Sequence, residues 1–105
     1  MFKVTIRVVE TMATEHFHHN FQNVVDYCVE NMISMTGGAT VDAASVGYWK
    51  DDNGTLVKEI GHNIWTLSES QMLVPLQNLA NAMKKYGEQD CVLFMVEEMK
   101  AVNFV

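Results

Sequence analysis

Gly47-Tyr48-Trp49-Lys50-Asp51-Asp52-Asn53-Gly54, running into Thr55-Leu56-Val57-Lys58-Glu59, is the stretch on which the fold turns. Asn53-Gly54 between two strand-like runs is a strong hairpin signal, because tight reversals need backbone with positive φ and Asn and Gly tolerate it. Two registers are open. If Asn53-Gly54 is a two-residue turn, Tyr48 lies opposite Glu59. If the loop runs from Asp51 to Gly54, Tyr48 pairs with Val57 and is diagonal to Glu59. Either register places the phenol and the carboxylate on one sheet face, within reach of each other.

The rest of the chain arranges itself around this hairpin. Phe2, Val4, Ile6 and Val8 alternate with Lys3, Thr5 and Arg7, the period of a half-buried strand. A helix is predicted from about Thr14 to Met35, with Phe17, Phe21, Val24, Val25, Cys28 and Met32 as its buried stripe and Gly37-Gly38 as its stop. Residues 40–50 and 55–67 are the hairpin arms. Ser68 and Gln71 have the spacing of a capping box, and Pro75 belongs in the first turn of the following helix, where its missing N–H costs nothing. Leu76, Leu79, Ala80 and Met83 form that helix's core stripe and Gly87 ends it. Asp90 to Glu97 reads as the last strand, which Lys100 to Val105 extends or returns.

The order β-α-β-β-α-β, with right-handed crossovers, predicts an α+β ferredoxin-like sandwich: a four-stranded antiparallel sheet with two helices on one face, as a single domain over residues 1–105. The other sheet face is then open. In the last strand Cys91, Leu93 and Met95 point one way and Val92, Phe94 and Val96 the other, so both faces are apolar. A strand of this kind calls for cover on both sides, which predicts a homo-oligomer using the open face or the last strand.

Composition removes several function classes. At 105 residues and 49% hydrophobic content the chain is globular. No apolar run approaches the roughly 20 residues that span a bilayer, and no basic flank of a signal peptide is present; a cytoplasmic protein with no membrane partner is expected. The net charge of −6, with no basic cluster beyond Lys84-Lys85, opposes binding to nucleic acid. Cys28 and Cys91 fall within predicted helix and strand, which favours buried free thiols over a disulfide. His16-Phe17-His18-His19 places only His16 and His19 on one helical face and lacks a completing carboxylate or Cys, so surface histidines explain it better than a metal site. No phosphate-binding loop, dinucleotide fingerprint or nucleophile elbow occurs, and no cofactor is expected.

Glu59 is the distinctive candidate. It shares a strand face with Val57, Gly61, Asn63, Trp65 and Leu67, and a carboxylate among such neighbours needs a partner. Tyr48 is a possible donor, Gly61 leaves room for a ligand, and Gln89 brings an amide to the mouth of the last strand. An edge residue facing solvent is the equally weighted alternative from spacing alone.

The segment Gly47-Tyr48 … Glu59 … Glu88-Gln89-Asp90-Cys91-Val92-Leu93 resembles the bacteriophage S-adenosylmethionine lyases, formerly called S-adenosylmethionine hydrolases. The resemblance rests on a strand end similar to the family's Gly-x-Tyr (here Gly47-Tyr48), a Glu at the same eleven-residue step (59 − 48 = 11), a helix and then a Glu-Gln-Asp-Cys-Val-Leu-like strand start; it covers about residues 45 to 96, about half the chain. Gly47-x-Trp49 … Gly54 … Glu59 … Tyr86-Gly87-Glu88-Gln89 is also similar to an uncharacterised family of small bacterial proteins. The first resemblance implies cleavage of S-adenosylmethionine to 5′-methylthioadenosine and homoserine lactone, with the substrate's own carboxylate as nucleophile and no metal. It further implies Glu59 at the substrate's positive end, Tyr48 orienting Glu59 or bordering the sulfonium, and Gln89 on the amino-acid moiety. A homotrimer with sites between protomers is implied too, as is phage counter-defence in the cytoplasm of an infected bacterium. The alternative from a different class is a non-catalytic oligomeric module that binds or sequesters a small nucleoside-containing ligand.

Overall fold

Alternation along Phe2–Val9 produces the central strand β1, which sends Val4, Ile6 and Val8 into the core with no exposed surface. The computed structural model describes residues 1–105. After β1 come α1 (Phe21–Thr36), β2 (Thr40–Val41), β3 (Ser45–Lys50), β4 (Leu56–Ser68), α2 (Leu73–Tyr86) and β5 (Phe94–Glu98). The sheet is antiparallel in the order β2–β4–β1–β5, and β3 pairs with the first half of β4. Both helices pack on one face, which is the ferredoxin-like arrangement expected from the element order.

The predicted first hairpin arm is two strands. β2 pairs with Ile64 and Trp65 late in β4, and β3 pairs with Leu56 to Gly61 early in it. Between them Asp42 anchors the break: its carbonyl accepts from His62 Nδ1 at 2.8 Å and its carboxylate from Trp65 Nε1 at 3.1 Å. β4 therefore serves as a long spine of 13 residues whose first half, with β3, forms the hairpin arm.

Of the stripe expected for the first helix, Phe17, Val24, Val25, Cys28 and Met32 are buried and Phe21 is half-buried against the core, but α1 begins at Phe21 rather than Thr14. Two short 3₁₀ turns, Glu10–Met12 and Glu15–Phe17, fill the connection, and His18 and His19 both adopt positive φ (55° and 53°). Two consecutive left-handed residues interrupt any helix. Asn20 then caps α1, its side chain accepting from the Gln22 amide at 2.9 Å. His16 and His19 consequently do not share a helical face; His16 stacks on Tyr86 with ring centroids 3.9 Å apart. Gly37 ends α1 in the left-handed region (φ 89°), its amide donating to the Ile33 carbonyl.

Ser68 is not a helix cap. It is the buried last residue of β4, its hydroxyl donating to the Glu69 carbonyl at 2.7 Å, and a 3₁₀ turn at Ser70–Met72 leads into α2. Pro75 does lie in the first turn of α2, and Leu76, Leu79, Ala80 and Met83 are buried as the stripe demands. β5 is shorter than expected, because Glu88 takes positive φ (52°) and residues 89–92 remain outside the ladder. Cys91 is accordingly exposed rather than buried in a strand, whereas Cys28 is fully buried. Leu93 and Met95 are left 50% and 41% exposed.

Candidate functional site

The tip of the hairpin decides how the site is built. Asp51 N–H donates to the Thr55 carbonyl at 3.0 Å and Gly54 N–H to the Asp51 carbonyl at 2.9 Å, with Gly54 at φ 78°. This is a three-residue loop, Asp52-Asn53-Gly54, whose last residue is left-handed. The Asp51 carboxylate holds it by accepting from the Asn53 and Thr55 amides, both at 2.9 Å.

An odd loop length changes the facing of every side chain in β3. Tyr48 pairs with Lys58 and Gly47 with Glu59, so neither register considered from sequence is realised. Tyr48 and Glu59 lie on opposite faces of the hairpin, since directly paired residues share a face and successive residues alternate. The face that carries Glu59 carries Gly47, Trp49 and Val57 instead. Tyr48, 62% exposed, is on the face with Lys58.

A groove of about 700 Å³ nevertheless joins the hairpin to the loop after α2. Arg7 and Val9 of β1 form its floor, Gly47, Tyr48, Trp49 and Glu59 one wall, and Glu88 to Leu93 the other. All three sequence-derived candidates, Tyr48, Glu59 and Gln89, therefore border one cavity. Gln89 reaches it from a loop, not from a strand end, and is oriented by two hydrogen bonds from Nε2, to the Gly87 carbonyl at 2.9 Å and to Thr11 Oγ1 at 3.3 Å. Those bonds commit its amide nitrogen and leave Oε1 as the end available to a ligand.

Gly61 plays a different part from the one expected. β4 passes so close to β1 here that a Cβ would collide with the Val8 carbonyl, so the glycine permits strand contact rather than ligand entry. Two groove residues were missed from sequence. The facing of Trp49 depends on the parity of the loop, which the sequence leaves open. Alternation in β1 signals its buried side most strongly, yet it also places Arg7 on the open face beside Asn63.

The groove sets three carboxylates (Glu59, Glu88 and Asp90) and an indole against one guanidinium, which suits a ligand with a cationic centre near a π face and an anionic group for Arg7. Thiol chemistry does not come from the core: burial pushes the Cys28 thiol from 9.0 up to about 12. The Tyr27 hydroxyl is also raised, by burial first and by neighbouring Tyr86 second, but it lies outside the groove.

No sequence family matches the chain, and no curated protein matches it. Among solved structures, the fold is similar to a phage SAM lyase in complex with S-methyl-5′-thioadenosine, with a TM-score of 0.66 and 19% identity over 92% of this chain and 80% of that one. It is also similar to a single-site variant of CutA1 from Pyrococcus horikoshii OT3, with a TM-score of 0.63 and 12% identity over 98% of this chain and 87% of that one. At these identities the likeness is one of fold. No helix is long and apolar enough to cross a membrane.

Proposed function

We propose that the protein is an S-adenosylmethionine lyase. The observation that carries this reading is the single groove bordered by Glu59, Trp49 and Gln89, on a fold shared with a lyase bound to S-methyl-5′-thioadenosine. That nucleoside is what S-adenosylmethionine leaves when the bond between sulfur and the methionine chain breaks.

In the proposed reaction a substrate carboxylate oxygen attacks the carbon bound to sulfur. The new C–O bond closes homoserine lactone, and the C–S electron pair neutralises the sulfonium, releasing 5′-methylthioadenosine. Because nucleophile and leaving group belong to one molecule, the protein's main task is to hold the folded conformer. Glu59 supplies negative charge for the ammonium or sulfonium end, and Gln89 accepts from the amino-acid moiety through Oε1. The register gives Trp49 the π surface on Glu59's face. Tyr48, exposed on the other face, is assigned to the rim or to the site of a neighbouring copy in a homo-oligomer, for which a trimer is favoured. Depletion of a methyl donor in the cytoplasm of an infected host, against restriction-modification, is the corresponding biological role.

Glu59→Gln tests the assignment. It removes the charge while keeping shape, and should lower methylthioadenosine formation by about 100-fold or more with the circular dichroism spectrum unchanged. Undiminished turnover in a folded variant would remove Glu59 from the mechanism. A non-catalytic module would instead bind S-adenosylmethionine and return it intact.

A further inference from the structure

Arg7 is the one cation on the floor of the groove, and its hydrogen bonds reveal which part of it is spoken for. Nη1 donates to Ser45 Oγ at 2.9 Å and to Asn63 Oδ1 at 3.2 Å, and Nη2 donates to the Ser45 carbonyl at 3.1 Å. Ser45 is thus gripped across the far end of the guanidinium, which fixes its plane. Three of five N–H donors are used. The Nε–H and the second Nη2–H have no partner, and none of the three acceptors is a carboxylate. No buried polar side-chain atom in the protein lacks a partner, so the unpartnered Nε is solvent-accessible, on a residue that lines the groove.

What stands before that edge is Gly47. A Cβ at position 47 would lie 3.5 Å from Nη2 and 3.7 Å from Nε, and Gly47 is also the residue paired with Glu59. The free edge of a positive group and a carboxylate therefore flank a position that carries no side chain. Nε and Nη2 present two parallel N–H donors, the geometry that takes a carboxylate bidentately. We infer that Arg7 is a specificity-determining residue: its free Nε–Nη2 edge binds the carboxylate of the ligand's amino-acid moiety, and Gly47 keeps that edge accessible. The inference rests on the lyase reading and adds to it the group that orients the nucleophile. With Glu59 on the opposite side of Gly47, the groove complements a zwitterion.

Calorimetric titrations with three unreactive ligands separate this role from a structural one. S-adenosylhomocysteine keeps the carboxylate, decarboxylated S-adenosylmethionine has lost it, and 5′-methylthioadenosine lacks the whole chain. Arg7→Gln should weaken S-adenosylhomocysteine about 10- to 100-fold and change the other two by less than about twofold. Gly47→Ala, which leaves the bonds to Ser45 and Asn63 in place, should show the same pattern in weaker form. Arg7→Lys, keeping the charge without the fork, should recover only part of the loss. Equal weakening of all three ligands, or none, would overturn the inference and assign Arg7 to holding Ser45 alone. Wild-type protein that neither binds nor cleaves S-adenosylmethionine would instead overturn the lyase reading, and the inference with it.

Discussion

Cys28 and Cys91 divide the two thiols between opposite environments, and each has a measurable consequence. Cys91 lies exposed in the groove wall, while Cys28 is sealed between α1 and the sheet. An aromatic disulfide reagent should titrate one thiol in the native protein and two after denaturation. The raised ionisation of Cys28 also links stability to pH. In the unfolded chain the thiol begins to lose its proton at 9.0, whereas in the folded protein it does so only at about 12. Its contribution is therefore fully present below pH 9 and is lost as pH rises toward 12, with a slope of about 1.4 kcal/mol per pH unit. Cys28→Ala should flatten that part of the pH profile in urea titrations. Equal slopes in the two proteins would mean that the thiol is hydrated in the native state.

At the scale of elements, the contact between β1 and β4 is the joint that sets the hairpin's direction. Because a side chain at position 61 meets backbone rather than a flexible neighbour, Gly61→Ala should cost about 3 kcal/mol in chemical denaturation and lower groove-dependent binding as the arm shifts. A loss below about 0.5 kcal/mol would contradict so close an approach. The same region shows what sequence conveys and what it does not. Alternation in β1 and the stripes of α1 and α2 follow from burial on one side, so the core residues and the element order were legible. Register depends instead on a turn whose alternatives differ by one residue. Asp51, by capping two amides of the loop, selects the three-residue form and turns Tyr48 away from Glu59. Helix starts were obscured for a similar reason: Phe17 stays in the buried stripe although it belongs to a 3₁₀ turn, so periodicity alone runs through the break at His18 and His19. Arg7's part in the groove becomes apparent only when β1, β3 and β4 are placed side by side.

For the whole molecule, the hairpin arm and the edge strand leave apolar surface on both faces. Tyr48 and Leu56 are each 62% exposed, and Trp49, Leu93 and Met95 add to the surface around the groove. The last residues do not cover it, since Phe104 is 81% exposed and lies by Met1 and Trp65. A homo-oligomer is the expected state, so light scattering should give a mass that is a multiple of 11.9 kDa, and Leu56→Glu should shift it toward the monomer. A monomer at all concentrations would leave the exposed face without its expected cover.

Lyase chemistry in this groove can be followed in a single time course. The purified protein is incubated with S-adenosylmethionine, and the mixture is followed by proton NMR. 5′-Methylthioadenosine and homoserine lactone should appear together in equal amounts as the substrate declines, at a rate proportional to protein and faster than in its absence. S-adenosylmethionine that stays bound and intact, or decays only at the protein-free rate, would contradict lyase chemistry.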